Sequence, residues 1–316
     1  MVFFLKKLAK DLFKQQNSTK FTADSRRGTK IQVVGSLLFM TNKYKLIAID
    51  IDGTLVRSDQ TISPRTVDTL LRVQEQGVKV CICSGRPAYG IAPHAETLRL
   101  GEFGGYVVSY NGGGICNWAT KEVIYARTLD PSILPYLCEC TLRGGFHILT
   151  YVGDHIVSDV AENQYVQFTS MRNKMPVQQV PNFLAEITYP ISKCMIVGDP
   201  EPLSRLEATL ALHLKGKAEA YRSEPFFLEV VPEGIDKAKG LATLLAHLGM
   251  KREELMAFGD GFNDVSMIEF AGLGVAMGNA LEVVKKAAGF VTLSNEADGI
   301  AVAVEKFIPR LPDKPC

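Results

Sequence analysis

Short apolar runs that break off at carboxylates, hydroxyls and glycines constrain this chain more than any other feature. Leu46–Ile49 stops at Asp50-Ile51-Asp52-Gly53-Thr54, Val78–Cys83 at Ser84-Gly85-Arg86, and Tyr106–Ser109 at Tyr110-Asn111-Gly112. Unbroken apolar runs of this length fit strands buried on both faces, the pattern of a parallel sheet between helical layers. Helix-length segments separate them. Ser63 and Pro64 supply an N-cap and a first-turn proline for a helix over Thr66–Gln76, which Gly77 ends. Parallel strands joined in this way take right-handed crossovers. Each polar cluster then falls just past a strand's carboxyl end, where open α/β sheets bind ligands.

The rhythm changes in the middle of the chain and then returns. Pro131–Arg143 reads as a helix, and His147–Tyr151 with His155–Ser158 as a hairpin turning at Val152-Gly153-Asp154. Lys193–Val197 reads as a strand, Pro202–His213 as a helix and Phe227–Val231 as a last strand, together an α+β insert. After Gly234 come a helix near Lys237–Leu248, a strand Glu254–Phe258 ending at Gly259-Asp260, a helix Val265–Ala271 and a strand Leu273–Ala276. The expected organisation is an N-terminal extension (1–43), a first core segment (44–127), an inserted α+β unit (128–231) and a returning core segment (232–316).

The chemistry sits at the strand ends. Asp50 and Asp52 bracket one residue, and two carboxylates so close repel unless a cation or a proton separates their roles. Hard oxygen ligands suit Mg²⁺. With that charge screened, Asp50 is able to attack phosphorus as a nucleophile while Asp52 handles protons. Gly53 admits close backbone approach, Ser84 offers a hydroxyl donor beside the open backbone of Gly85, and Lys237 supplies a positive charge. Asp260 and Asp264, in Gly259-Asp260-Gly261-Phe262-Asn263-Asp264, add two carboxylates suited to a metal. Taken singly, each has a structural explanation: a turn, a helix cap, a solvated lysine, acids offsetting a helix dipole. Their joint appearance in this order does not.

The ordered set Asp50-x-Asp52-Gly53-Thr54, Ser84-Gly85-Arg86, Lys237 and Gly259-Asp260-x-x-Asn263-Asp264 resembles the haloacid dehalogenase-like (HAD) hydrolases. The long insert between the serine and lysine motifs resembles the Cof-type IIB branch, as do Tyr110-Asn111-Gly112, Met277-Gly278-Asn279-Ala280 and Asp298-Gly299-Ile300. The resemblance runs from about Tyr44 to Phe307. It implies a Rossmann-like parallel-sheet core with an inserted cap of the C2 type. It also implies a phosphatase working through an aspartyl-phosphate, with a phosphosugar mutase as the alternative.

Carried over residue by residue, Asp50 is the nucleophile and a Mg²⁺ ligand, and Asp52 is the acid/base and binds metal through its carbonyl. Ser84 and Lys237 hold the phosphoryl group, and Gly53, Thr54 and Gly85 belong to the phosphate-binding set. Asn263 contacts phosphate, Arg86 and Asn111 line the pocket mouth, and Asp260 completes the metal site with Asp264 in support. Ser84 stands where threonine is common, and Ala238 follows Lys237 where glycine is frequent. The substrate implied is a small phosphorylated metabolite, a sugar phosphate or similar, with the cap choosing the leaving group.

Charge and composition narrow the field further. Residues 1–43 hold nine Lys/Arg against Asp11 and Asp24, so the remainder of a chain of net charge +1 is mildly acidic. That argues against a nucleic-acid groove. Apolar residues from Val2 to Phe13 interleave with lysines, as in a membrane-surface or targeting helix. A disordered leader, or an extension upstream of a start at Met40, explains the segment as well. No run is long enough to span a bilayer. The seven cysteines have no C-x-x-C spacing and read as small buried residues of a reducing compartment, with the cytoplasm as the expected location. Gly198-Asp199-Pro200 reads as a strand-to-helix turn, and Trp118 as packing.

Overall fold

The computed structural model describes residues 42–310. The expectations for the extension 1–43 fall almost wholly outside these residues. The described residues form one compact unit.

Two sheets organise the described residues. The first runs in the order β14-β13-β12-β1-β2-β3-β4-β5. Its strands are β1 (Leu46–Ile49), β2 (Lys79–Cys83), β3 (Tyr106–Ser109), β4 (Gly114–Asn117), β5 (Val123–Ala126), β12 (Leu255–Gly259), β13 (Leu273–Ala276) and β14 (Phe290–Val291). The second, between β5 and β12 in the chain, is β10-β11-β9-β6-β7-β8. It comprises β6 (His147–Val152), β7 (His155–Ser158), β8 (Val177–Gln179), β9 (Cys194–Val197), β10 (Ala218–Glu224) and β11 (Phe227–Pro232).

The principal helices are α1 (Pro64–Glu75), α2 (Ala88–Thr97), α3 (Leu134–Gly144), α4 (Gln164–Asn173), α5 (Pro200–His213), α6 (Lys237–Leu248), α7 (Val265–Phe270), α8 (Glu282–Ala287) and α9 (Gly299–Phe307). The Ser63 hydroxyl accepts from Thr66 N–H and caps α1, with Pro64 in its first turn.

β1 pairs in parallel with β2 on one side and β12 on the other, and all four of its side chains are buried. A fully buried Leu or Ile is worth about 1.5–3 kcal/mol, so this strand anchors the core. From β1 the strand order runs outward through β2 and β3 in one direction and through β12, β13 and β14 in the other. The β1/β12 boundary is therefore the topological switch point, and it holds the ends that carry Asp50 and Asp260.

The sheet also departs from the sequence reading. β4 and β5 extend it antiparallel beyond β3. Cys138 and Cys140 lie on α3, so their spacing does not put them on one strand face, whereas Cys81 and Cys83 share a buried face of β2. Trp118 is buried, donating from Nε1 to Glu96 under the ammonium of Lys121. Gly198-Asp199-Pro200 joins β9 to α5.

The second sheet has two unlike faces. Ile148, Cys194, Ile196, Leu228 and Val230 pack with Leu137, Leu203 and Leu210 of α3 and α5. Leu149, Tyr151, Met195, Val197 and Phe227 form a separate cluster on the opposite face, against which Tyr110, in the turn after β3, packs. The period of two along each strand places Glu229 with Phe227 on this second face, and Lys193 with Met195.

Candidate active site

The turn after β1 builds the floor of the site. Leu55 N–H donates to Asp50 O and Val56 N–H to Ile51 O, a single wide loop of i to i+5 bonds. Gly53 within it has φ +78°, and a Cβ there would lie 2.2 Å from Asp260 Oδ2. Only glycine combines that backbone with that approach. Thr54 Oγ1 donates to Asp260 Oδ1 at 2.7 Å, and Asn279 Nδ2 donates to Gly53 O at 2.8 Å. The turn is thus stitched to the end of β12 and to the loop after β13.

Asp50, Lys237 and Asp264 meet beneath it. Lys237 is fully buried, and its Nζ donates to Asp50 Oδ1 at 2.5 Å and to Asp264 Oδ1 at 2.6 Å. Burial alone would favour a neutral amine, but the Asp264 and Asp50 carboxylates overcome this and keep Lys237 charged. Asp264 Oδ2 accepts from the N–H groups of Asp260 and Gly261, so both of its oxygens have protein partners.

Asp50, Asp260 and Asp264 each offer an oxygen within 4.8 Å of the others. One ammonium among three carboxylates leaves negative charge in excess. Burial and the Asp264 carboxylate accordingly hold Asp50 well above the usual carboxylate range. Asp260 rises to about 6, through burial and Asp264 against the Thr54 hydrogen bond. A surplus of hard, buried oxygen donors is the donor set that fits Mg²⁺.

Asp52 is placed differently. Arg86 grips it through Nε and Nη2, at 3.0 and 2.6 Å, and Arg172 of α4 reaches it at 3.2 Å. Burial works against ionisation here, but the two guanidinium groups prevail and hold the carboxyl below its usual range. Its side chain stays outside the carboxylate cluster.

A cavity of 440 Å³ opens above, lined by Asp50, Asp52, Ser84, Gly85, Arg86, Asn111 and Asn263 from the first sheet's side. Asn263 Nδ2 donates to Asn111 Oδ1 at 3.1 Å, and Ser84 Oγ accepts from Arg86 N–H. Arg86 lines the cavity as a buried residue that spans Asp52 and the carbonyl of Arg172. One expectation needs correction. Thr54 does not face the cavity: its buried hydroxyl is spent on Asp260, which makes it a positioning group.

Other lining residues were not anticipated: Arg172, Lys193, Tyr221, Ser223 and Glu229 from the second sheet's side. The one available signal was Glu229, an acid inside the apolar run Phe227–Pro232, since a buried charge requires a partner.

The comparisons agree with the geometry. Residues 47–304 match the profile of the haloacid dehalogenase-like hydrolases. A haloacid dehalogenase-like hydrolase of Bacteroides thetaiotaomicron superposes with a TM-score of 0.82 at 51% identity, over 84% of this chain and all of that one. The 5-amino-6-(5-phospho-D-ribitylamino)uracil phosphatase YcsE of Bacillus subtilis is 32% identical over 84% of this chain and 96% of its own. The pyridoxal phosphate phosphatase YbhA of Escherichia coli is 30% identical over 81% and 96%. The chain belongs to the haloacid dehalogenase-like hydrolases, and within that family it is a phosphatase. Among the described residues no helix is long and apolar enough to cross a membrane.

Proposed function

We propose that this enzyme is a Mg²⁺-dependent phosphatase that moves the phosphoryl group of a small metabolite, a sugar phosphate or similar, first to Asp50 and then to water. The observation that carries the reading is the placement of Asp50: at the end of the central strand, on the cavity floor, tied to buried Lys237 and beside Asp260 and Asp264. Asp50, the Asp52 carbonyl and Asp260 would hold Mg²⁺, with Asp264 supporting Asp260, and the ion would offset the charge of the phosphate dianion.

Asp50 attacks phosphorus, forming the aspartyl oxygen–phosphorus bond as the ester bond breaks. Asp52, which takes up a proton from solvent before the first step, gives it to the departing alkoxide, then takes one from the water that cleaves the aspartyl-phosphate. The ionised Asp52 held by Arg86 and Arg172 is the form this second step requires. Ser84 and Asn263 donate to phosphate oxygens, and Lys237 fixes the orientation of Asp50. Residues 128–231 act as the cap: water exclusion above the cavity strengthens each of these electrostatic contacts. The relatives' substrates, a phosphorylated ribityl compound and pyridoxal phosphate, are both small phosphate monoesters. The cysteines, free among the described residues, are in keeping with a cytoplasmic enzyme.

The test is phosphate release from a panel of sugar phosphates, nucleotides and pyridoxal phosphate, in Mg²⁺ and in EDTA. Turnover that survives EDTA, or Asp50→Asn turnover equal to wild type, would overturn the reading. Product analysis separates the mutase, which yields an isomeric phosphate and little inorganic phosphate.

A further inference from the structure

The turn after β3 takes left-handed backbone at successive residues: Tyr110, Asn111 and Gly112 have φ of +53°, +55° and +104°. That conformation is costly for tyrosine, tolerable for asparagine and natural to glycine. Contacts on three sides hold it. Tyr110 N–H donates to Arg86 O at 3.2 Å and Asn111 N–H to Ser84 O at 3.0 Å, which ties the turn to the serine motif. A Cβ on Gly112 would lie 2.3 Å from the carbonyl oxygen of Asp236, so the turn also presses on the residue that caps α6 beside Lys237. The Tyr110 ring packs on the second sheet, its centroid 6.4 Å from that of Tyr151. Strain held in place by so many contacts points to a task for the residue it presents.

That residue is Asn111. Its Oδ1 accepts from Asn263 Nδ2 at 3.1 Å, and its Nδ2 donates to Tyr221 Oη of β10 at 3.2 Å. The two bonds fix which way the amide faces, acceptor toward the loop after β12 and donor toward the second sheet. Asn263 itself is exposed. An exposed asparagine on a loop samples several rotamers, and one that has to meet a phosphate oxygen gains from being held in advance. An amide nitrogen carries two donors, so the bond to Asn111 takes one from Asn263 and leaves the other for phosphate. Among the described residues no hydrogen bond joins Tyr221 to Asn263 directly; Asn111 is the bonded link between them.

Resting on the phosphatase reading above, in which Asn263 donates to phosphate, we infer that Asn111 is a positioning residue. It orients the Asn263 amide for the phosphoryl group, and it makes that orientation depend on Tyr221 and so on the second sheet. The link acts on the phosphoryl group itself, whatever alcohol departs from it. Full grip on phosphate is therefore reached only with the second sheet seated over the site.

Orthovanadate isolates the link, because it mimics phosphate and has no leaving group. Its inhibition constant is measured against hydrolysis of an aryl phosphate, using the full chain in Mg²⁺, for wild type, Tyr221→Phe, Asn263→Ala and the double variant. Asn263→Ala is expected to raise the constant about 10-fold. Tyr221→Phe deletes one hydroxyl, and is expected to raise it about three- to fivefold in the wild-type background and not at all once Asn263 is gone. The bond from Tyr221 to Glu229 is lost as well, but that loss is the same in both backgrounds and cancels in the cycle. Asn111→Gly removes the amide and suits the left-handed backbone. It is expected to match Asn263→Ala to within about twofold, and combining the two should add nothing. Equal effects of Tyr221→Phe with and without Asn263 would overturn the inference, as would no effect of Tyr221→Phe on wild type. Losses of Asn111→Gly and Asn263→Ala that multiply would overturn it too, since Asn111 would then be merely structural. In each of these cases wild-type turnover leaves the phosphatase reading intact. Wild type that releases no phosphate from any ester would overturn that reading, and this inference with it. If Asn111→Gly does not fold, the cycle of Tyr221 and Asn263 decides the matter.

Discussion

A lysine buried against carboxylate appears twice in the walls of one cavity, and the two sites are built to opposite ends. On the floor Lys237 serves Asp50 and Asp264, with Asp260 close by, so negative charge exceeds positive. On the roof Lys193 meets one carboxylate, that of Glu229, and the carbonyl of Gly85, and neutral hydroxyls complete the glutamate's shell. The floor stands on parallel strand ends at the switch point, where backbone N–H groups and loops converge. The roof stands on antiparallel strands, whose cross-strand register sets partners side by side. An unbalanced cluster is left with negative charge to be met. A balanced pair carries no such surplus.

The contrast yields tests of descending size. Asp50→Asn removes the attacking oxygen, and kcat should fall by about 10⁴-fold or more in a phosphate-release assay. The protein should remain folded by circular dichroism, because the substitution subtracts from an excess of negative charge. Lys237→Met takes the sole ammonium from three carboxylates. It should cost about 3–5 kcal/mol in urea unfolding with EDTA, and Mg²⁺ should restore part of that loss. Lys193→Met, by comparison, leaves Glu229 with two hydroxyl donors and should cost about 1–3 kcal/mol, with no restoration by Mg²⁺. Equal losses in the two variants would break the comparison.

Asp260→Asn should raise the Mg²⁺ concentration for half-maximal activity by about 10-fold or more without a matching loss of stability. The smallest effect concerns how roof meets floor. A Cβ on Gly90 of α2 would lie 2.4 Å from Asn173 Oδ1 of α4. Gly90→Ala should therefore push α4 slightly away from α2, and raise KM for the substrate about two- to fivefold with kcat little changed.

Why the floor was legible in the sequence and the roof was not follows from the same difference. Asp50, Ser84 and Asp260 each stand one residue past a buried apolar strand, so local pattern and topology alone bring them together. Lys237 adjoins a helix start that its neighbours signal, Asp236 capping through Lys239 N–H. The roof depends on which face of the second sheet turns toward the first, and that is decided by long-range docking. β10, Ala218–Glu224, reads as a mixed polar segment, and β4 and β5 are short and only partly buried. None carries a strong period. Arg172 ends a helix of weak amphipathicity, so nothing in its neighbours points it at Asp52.

The pairing of β1 with β12 also sets a clock on the enzyme. Leu46 lies opposite Leu255, and Thr54 bonds to Asp260, 206 residues further on. A ribosome adding about 5–20 residues per second needs roughly 10–40 s to cover that distance. Throughout that interval the emerging chain carries Asp50 without the carboxylates and lysine that surround it in the fold. The whole second sheet is synthesised in the meantime. Hydrolytic competence therefore arrives late in synthesis, after the second sheet has been made.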